Sequence, residues 1–200
     1  ASERAAVELV AALRAEAGAR YHSDSAEARR IAGLAIALAA KIEQPLVSGW
    51  AHRILAEAML FSGRMRNAER AYAQAAEAWE AAGAEGLLGQ LLVGRIHVLT
   101  LLGRMQEASR AALKAEKLLM RAGDQTYLAK LAMNLGSTHF QRDEYGAALE
   151  QYERAAQAFA RLGIRDETVV GREINRAVAL TNLDRDEEAL TLFSRLSLEC

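Results

Sequence analysis

Apolar residues along this chain fall at helical spacing, interrupted by short polar turns. The pattern is clearest from 125 to 162. Leu128, Leu131, Ala132, Leu135 and Phe140 put one apolar face on a helix from Gln125 to Gln141. Arg142-Asp143-Glu144 breaks it. Tyr145, Ala148, Leu149, Tyr152, Ala155, Ala156 and Phe159 then mark a second amphipathic helix ending near Leu162. Gly163 follows, suited to the left-handed residue that closes a helix. Similar short turns stand at Ser62-Gly63-Arg64, Leu102-Gly103-Arg104 and Asn182-Leu183-Asp184.

The helix pairs repeat. Gly83, Gly123 and Gly163 are spaced by 40 residues, and Ala28, Ala68, Ala108, Ala148 and Ala189 by 40 or 41. Two markers sharing one period define an array of about five units, with approximate bounds 1–43, 44–84, 85–124, 125–164 and 165–200. Small residues (Ala56, Gly136 and Ala177 on first helices, the periodic alanines on second helices) let the paired helices cross closely. Tyr72, Tyr152 and Phe193 fill the gap to the next unit. Trp79, Leu119 and Phe159 recur every 40 residues near second-helix ends and read as core. Asp24-x-x-Glu27 and Asp184-x-x-Glu187 have capping-box spacing, and Pro45 suits a first helical turn.

Composition agrees with an all-α chain. One proline among 200 residues leaves little room for all-β turns, and alanine dominates. A disordered tail, a collagen and a disulfide scaffold are excluded. A net charge of -1, with 21 Arg and 4 Lys spread among acids, offers no basic field for nucleic acid and no polybasic membrane patch. No apolar run reaches the length of a membrane span. The lone Cys200 fits a reducing compartment, and Ala1-Ser2-Glu3-Arg4 lacks a signal-peptide pattern, so the cytoplasm is the expected location. The absence of an initial Met and the shortness of the fifth unit suggest a segment of a longer protein. Alternatively, a partner or second copy caps a last helix exposing Leu192, Leu196 and Leu198.

Catalytic and metal chemistry find little support. Among His22, His52, His97 and His139, no two share the i, i+4 spacing of paired metal ligands, and His139 reads as partly buried between helices. Cys200 has no oxyanion-hole loop around it. Asp184-Arg185-Asp186-Glu187-Glu188 resembles a calcium loop but has Ala189 where the loop glycine belongs. No phosphate loop, nucleophile elbow or H-E-x-x-H occurs. The expectation is no enzyme, no metal and no cofactor.

The chain resembles tetratricopeptide (TPR) repeats. Unit four carries Asn134-Leu135-Gly136, Tyr145, Ala148, Tyr152 and Ala155, and unit two carries Leu55, Ala56, Gly63, Ala68, Tyr72 and Ala75. Unit five carries Ala177, Ala189 and Phe193. Unit three departs at Arg95 and Ile96, and unit one keeps little beyond Ala28 and Ala35. The period is similar to that of the long-repeat subgroup, which includes bacterial regulatory arrays and arrays attached to CHAT-type caspase-like proteases or transcription regulators. The resemblance implies a right-handed α-solenoid that binds a protein or peptide in a concave groove lined by first helices. By repeat register the groove candidates are Trp50, Arg53, Glu57 and Leu60 in unit two, and Gln90, Val93 and His97 in unit three. Unit four offers Lys130, Met133, Asn134, Ser137 and Phe140, and unit five Ile174 and Asn175. The Lys/Asn clamp with which some family members hold a chain-terminal carboxylate is not matched. Trp50 reads equally as a groove anchor or as packing against unit one. A non-catalytic interaction scaffold is the leading expectation. The alternatives are a regulatory segment beside an output domain, and a unit that self-associates through its C-terminal end.

Overall fold

The computed structural model describes residues 3–164 and 168–199. Among the described residues, ten helices form five consecutive antiparallel hairpins. They are α1 (Glu3–Gly18) with α2 (Ser25–Ile42), α3 (Pro45–Phe61) with α4 (Met65–Ala81), and α5 (Glu85–Leu101) with α6 (Met105–Ala122). Next come α7 (Gln125–Phe140) with α8 (Tyr145–Arg161), and α9 (Thr168–Thr181) with α10 (Asp186–Glu199). Each hairpin packs on the next, giving an α-solenoid with no strand among the described residues. The position where unit five begins, residue 165, lies outside the described residues, as do Cys200 and the Leu198 side chain.

The turns explain the regularity. Gly63, Gly83, Gly103, Gly123 and Gly163 all have φ between 64° and 71°, where only glycine sits without strain. Each is followed by the 6→1 hydrogen bond of a Schellman turn, such as Arg64 N to Met59 O (2.9 Å) and Asp124 N to Leu119 O (3.0 Å). Asp143 (φ 59°) and Asp184 (φ 57°) take the glycine's place in the hairpins of α7/α8 and α9/α10. Asp24 caps α2 by accepting from Glu27 N (3.0 Å), as its spacing predicts. Asp184 does not cap a helix. It occupies the left-handed turn, and α10 starts only at Asp186. Pro45 opens α3. Asp124, which the sequence pattern did not single out, caps α7 through Tyr127 N (3.0 Å).

The core uses paired large and small residues. Trp79, Leu119 and Phe159 are all buried. The first two face glycines one period apart, Gly49 and Gly89, and Phe159 shares a buried cluster with Ala129. The Trp79 indole N–H donates to Leu46 O (3.2 Å). A Cβ on Gly136 would lie 2.4 Å from the Tyr152 ring, within the same hairpin. Tyr72 instead reaches forward, its hydroxyl 2.7 Å from where a Gly94 Cβ would stand. The departure at Arg95 also has a cause. Its Nη2 donates to Glu69 Oε1 (2.8 Å) on α4, and Arg104, in the turn before α6, pairs with the other oxygen at 3.1 Å, so a buried acid is neutralised from a helix and a turn of the next unit.

The last hairpin differs from expectation. Leu192 and Leu196 are buried rather than exposed. The apolar surface comes from Leu190 and Phe193, 64% and 39% exposed, whose counterparts one unit earlier, Leu149 and Tyr152, are 4% and 2% exposed. Among the described residues no hairpin packs on that face.

Candidate functional site

The first helices α3, α5 and α7 lie in sequence along the array, and a stripe of each faces one shared space. On α3 the stripe is Arg53, Glu57 and Phe61, at i, i+4 and i+8. On α5 it is Gln90, Leu91, Val93 and Gly94, and on α7 Tyr127, Lys130, Met133 and Asn134. Tyr72 from α4 and Phe159 from α8 complete the wall. Together they bound a cavity of about 470 Å³, mostly apolar with convergent polar groups, as in typical ligand sites.

Arg53 organises the polar part. It is 5% exposed. Its Nε donates to Glu57 Oε1 (2.9 Å), and its Nη2 donates to the Tyr127 hydroxyl (3.0 Å), 74 residues away. Burial opposes the guanidinium charge, but Glu57 and the Tyr127 oxygen outweigh it and hold the group firmly protonated. The other oxygen of Glu57 accepts from the Tyr21 hydroxyl (3.0 Å). The Lys130 ammonium lies 4.9 Å from the centre of the Tyr127 ring. Asn134 donates its amide to Val93 O (2.7 Å) and Gln90 donates to Asp124 Oδ2 (2.9 Å), leaving the side-chain oxygens of both amides to accept.

Of the residues placed in the groove by register, Arg53, Glu57, Gln90, Val93, Lys130, Met133 and Asn134 line this cavity. The others stand elsewhere. Trp50 packs edge-on against Trp79 (centroids 5.0 Å apart), with the Arg14 guanidinium 4.9 Å above its ring, so it ties units one and two together. Leu60 packs on the central core, and its neighbour Phe61, a 100° turn further round the helix, takes the cavity position. Ser137 donates to Met133 O (3.2 Å) and accepts from the Tyr152 hydroxyl (3.4 Å). Phe140 stands edge-on to Tyr145, 5.2 Å away, and packs on the last core cluster. Ile174 and Asn175, on α9, do not reach the cavity. His97 is half-buried outside it. His139 is half-buried as expected, its Nδ1 2.6 Å from Glu144 Oε2.

Register reasoning missed Phe61, Tyr72, Leu91, Gly94, Tyr127 and Phe159. Tyr127 was findable, since it precedes Lys130 and Asn134 by three and seven residues and shares their face. Tyr72 and Phe159 gave no such signal, because they reach the cavity from second helices.

Burial pushes the His97 imidazole below its ordinary value. The unfolded chain therefore binds this proton more readily than the folded one, and stability falls as pH drops below about 6.5. His97→Gln is expected to lose less melting temperature than the wild type between pH 7.5 and pH 5, read by circular dichroism. An identical loss in both proteins would contradict this.

No family model and no curated protein sequence matches the chain. Solved structures do. BtubC (BKLC) from P. vanneervenii superposes with a TM-score of 0.75 at 17% identity, over 96% of this chain and 78% of that one. The apo form of RapI gives 0.76 at 10% identity, over 94% and 69%. Two structures of the nearly identical TPR-like repeats assigned to a P. anserina kinesin light chain give 0.68 at 15% identity, over 98% and 92%, and 0.66 at 16% identity, over 98% and 93%. At these identities the likeness concerns architecture, and by that measure the chain has the fold of TPR-like helical-repeat proteins.

Proposed function

We propose that the chain is a non-catalytic interaction module whose groove takes up an extended segment of a partner protein. The observation that carries this reading is the shared cavity. Three successive units contribute to it, and helices leave no free backbone groups along their middles. A bound segment must therefore be held by side chains, and the free amide oxygens of Gln90 and Asn134 suit the N–H groups of an extended backbone. The TPR-like neighbours support a scaffold of this kind. The 40-residue spacing of the hairpins favours the long-repeat type, as in bacterial cytoplasmic regulatory arrays.

The test begins with a displayed library of 12-residue peptides selected on the wild-type protein. Binders are then measured on a variant carrying Lys130→Glu and Asn134→Ala. Affinity is expected to fall about tenfold or more, with the melting temperature changed by only a few degrees. Binders indifferent to both substitutions would place recognition outside the groove.

A second reading rests on the uncovered apolar face at Leu190 and Phe193. That face suits a further helical hairpin, contributed by an attached regulatory or output domain or by a second copy.

A further inference from the structure

We propose that the outer face of α6 docks a single helix of a partner protein, an amphipathic helix whose contact stripe alternates apolar and acidic residues. This surface is separate from the groove. It stands on the side of α6 opposite the buried Ala108, Ala112 and Ala115, and α6 lends no residue to the cavity.

The first observation is apolar exposure without a structural cause. Leu113 and Met120 are 71% and 65% exposed, the two most exposed large apolar side chains among the described residues. The repeat does not require them. One period before and after Leu113 stand Ala73 and Glu153, and one period before and after Met120 stand Glu80 and Ala160. Unlike Leu190 and Phe193, they do not lie on the last hairpin, for neighbouring hairpins pack on both sides of α5 and α6.

The second observation is their spacing. Gln106, Arg110, Leu113, Lys117 and Met120 follow one another at steps of four, three, four and three, and all are exposed. This is the recurrence by which one helix packs along another. Leu113 and Met120 stand about 10 Å apart along the axis, so a partner helix of about three turns covers both.

Charge names the partner. Arg110 and Lys117 alternate with the two apolar side chains, and neither enters an ion pair among the described residues. The cations beside them are engaged, Lys114 with Glu80 and Arg121 with Glu85 (3.6 Å). Acidic side chains at the facing positions of a partner helix would complete the seam. A second copy presenting the same face would gather the uncompensated cations of both copies in one seam. A flat anionic surface would meet more than this strip. Helices α4 and α8 flank α6, as the ion pairs of Lys114 with Glu80 and of Glu116 with Arg154 show, and they carry the exposed Glu77 and Glu150. These acids would repel such a surface, whereas a helix about 10 Å wide touches the strip alone.

The experiment selects a displayed library of helical peptides of about three heptads, randomised along one stripe, on the full chain. The winners are expected to alternate Leu, Ile or Met with Glu or Asp. Leu113→Ser with Met120→Ser should weaken them about tenfold or more while leaving the melting temperature unchanged, since both side chains are exposed. Lys117→Glu should weaken them too, and a peptide in which the facing acid is replaced by Lys should regain binding to that variant. Lys130→Glu with Asn134→Ala should have no effect. Winners indifferent to Leu113 and Met120, winners that need Lys130 and Asn134 instead, or an empty selection overturn the surface, and none of these results bears on the groove's own test. Apolar winners without acids, or no rescue by the charge swap, overturn the acidic partner. Two further results overturn it in favour of another occupant. One is sedimentation with phosphatidylserine vesicles that Lys117→Glu abolishes. The other is self-association that Leu113→Ser with Met120→Ser abolishes.

Discussion

Gly49→Ala is expected to cost about 3 kcal/mol of stability, although it adds a single methyl group in a helix where alanine has the better intrinsic propensity. The new Cβ would stand 2.2 Å from two atoms of the Trp79 indole ring. That ring has no room to retreat. It is fully buried, lies edge-on to Trp50 and is tethered through its N–H to Leu46 O. Helices α3 and α4 would have to part. In a chain of this size the cost corresponds to a fall of about 6 to 12 °C in melting temperature, read by calorimetry. Gly33→Ala is the control. It lies on the exposed side of α2, nothing stands within 4 Å of its Cβ position, and it should raise stability slightly. Adding Trp79→Phe to Gly49→Ala should recover part of the loss, because Ala129 and Phe159 already form that pair two units further along the array. Equal melting of Gly49→Ala and wild type would refute the account.

Glu57→Ala should cost about 3 to 5 kcal/mol, since it strands a buried guanidinium. Arg53 would keep only the Tyr127 oxygen, and the Tyr21 hydroxyl would lose its acceptor. The informative measurement is a double-mutant cycle by urea unfolding. Arg53→Met with Glu57→Leu should cost less than Glu57→Ala alone, because apolar residues of similar volume need no counter-charge. If the double variant is the less stable one, the pair contributes net stability and the desolvation argument fails.

How much of this was legible in the sequence follows from which residues answer to the period. The hairpins, their glycine turns and the buried Trp79, Leu119 and Phe159 were legible, because a 40-residue repeat imposes the same environment at each recurrence. The repeat register also picked out about half of the cavity wall, from Arg53 to Asn134, because one face of each first helix must look inward. It failed where the chain departs from its own repeat. Trp50 went to packing because Gly49 beside it admits Trp79. Asp184 became a turn residue because no glycine was available there. The buried Glu69 that explains Arg95 lies 26 residues away, beyond any local pattern. Ile174 was placed by register alone, and the register says nothing about where the cavity stops.

The hydrogen bond from Arg53 to Tyr127 joins unit two to unit four over the top of unit three. An array whose parts touch only their neighbours behaves as a chain of springs, in which each joint flexes on its own. A link that skips one part turns two joints into a closed loop. The curvature across α3, α5 and α7 is then a single mechanical variable: either end of this stretch can swing outward only if the clasp opens. Anything lodged beside Arg53 and Tyr127 acts on that variable directly, and a change there is a change in the pitch of the whole superhelix.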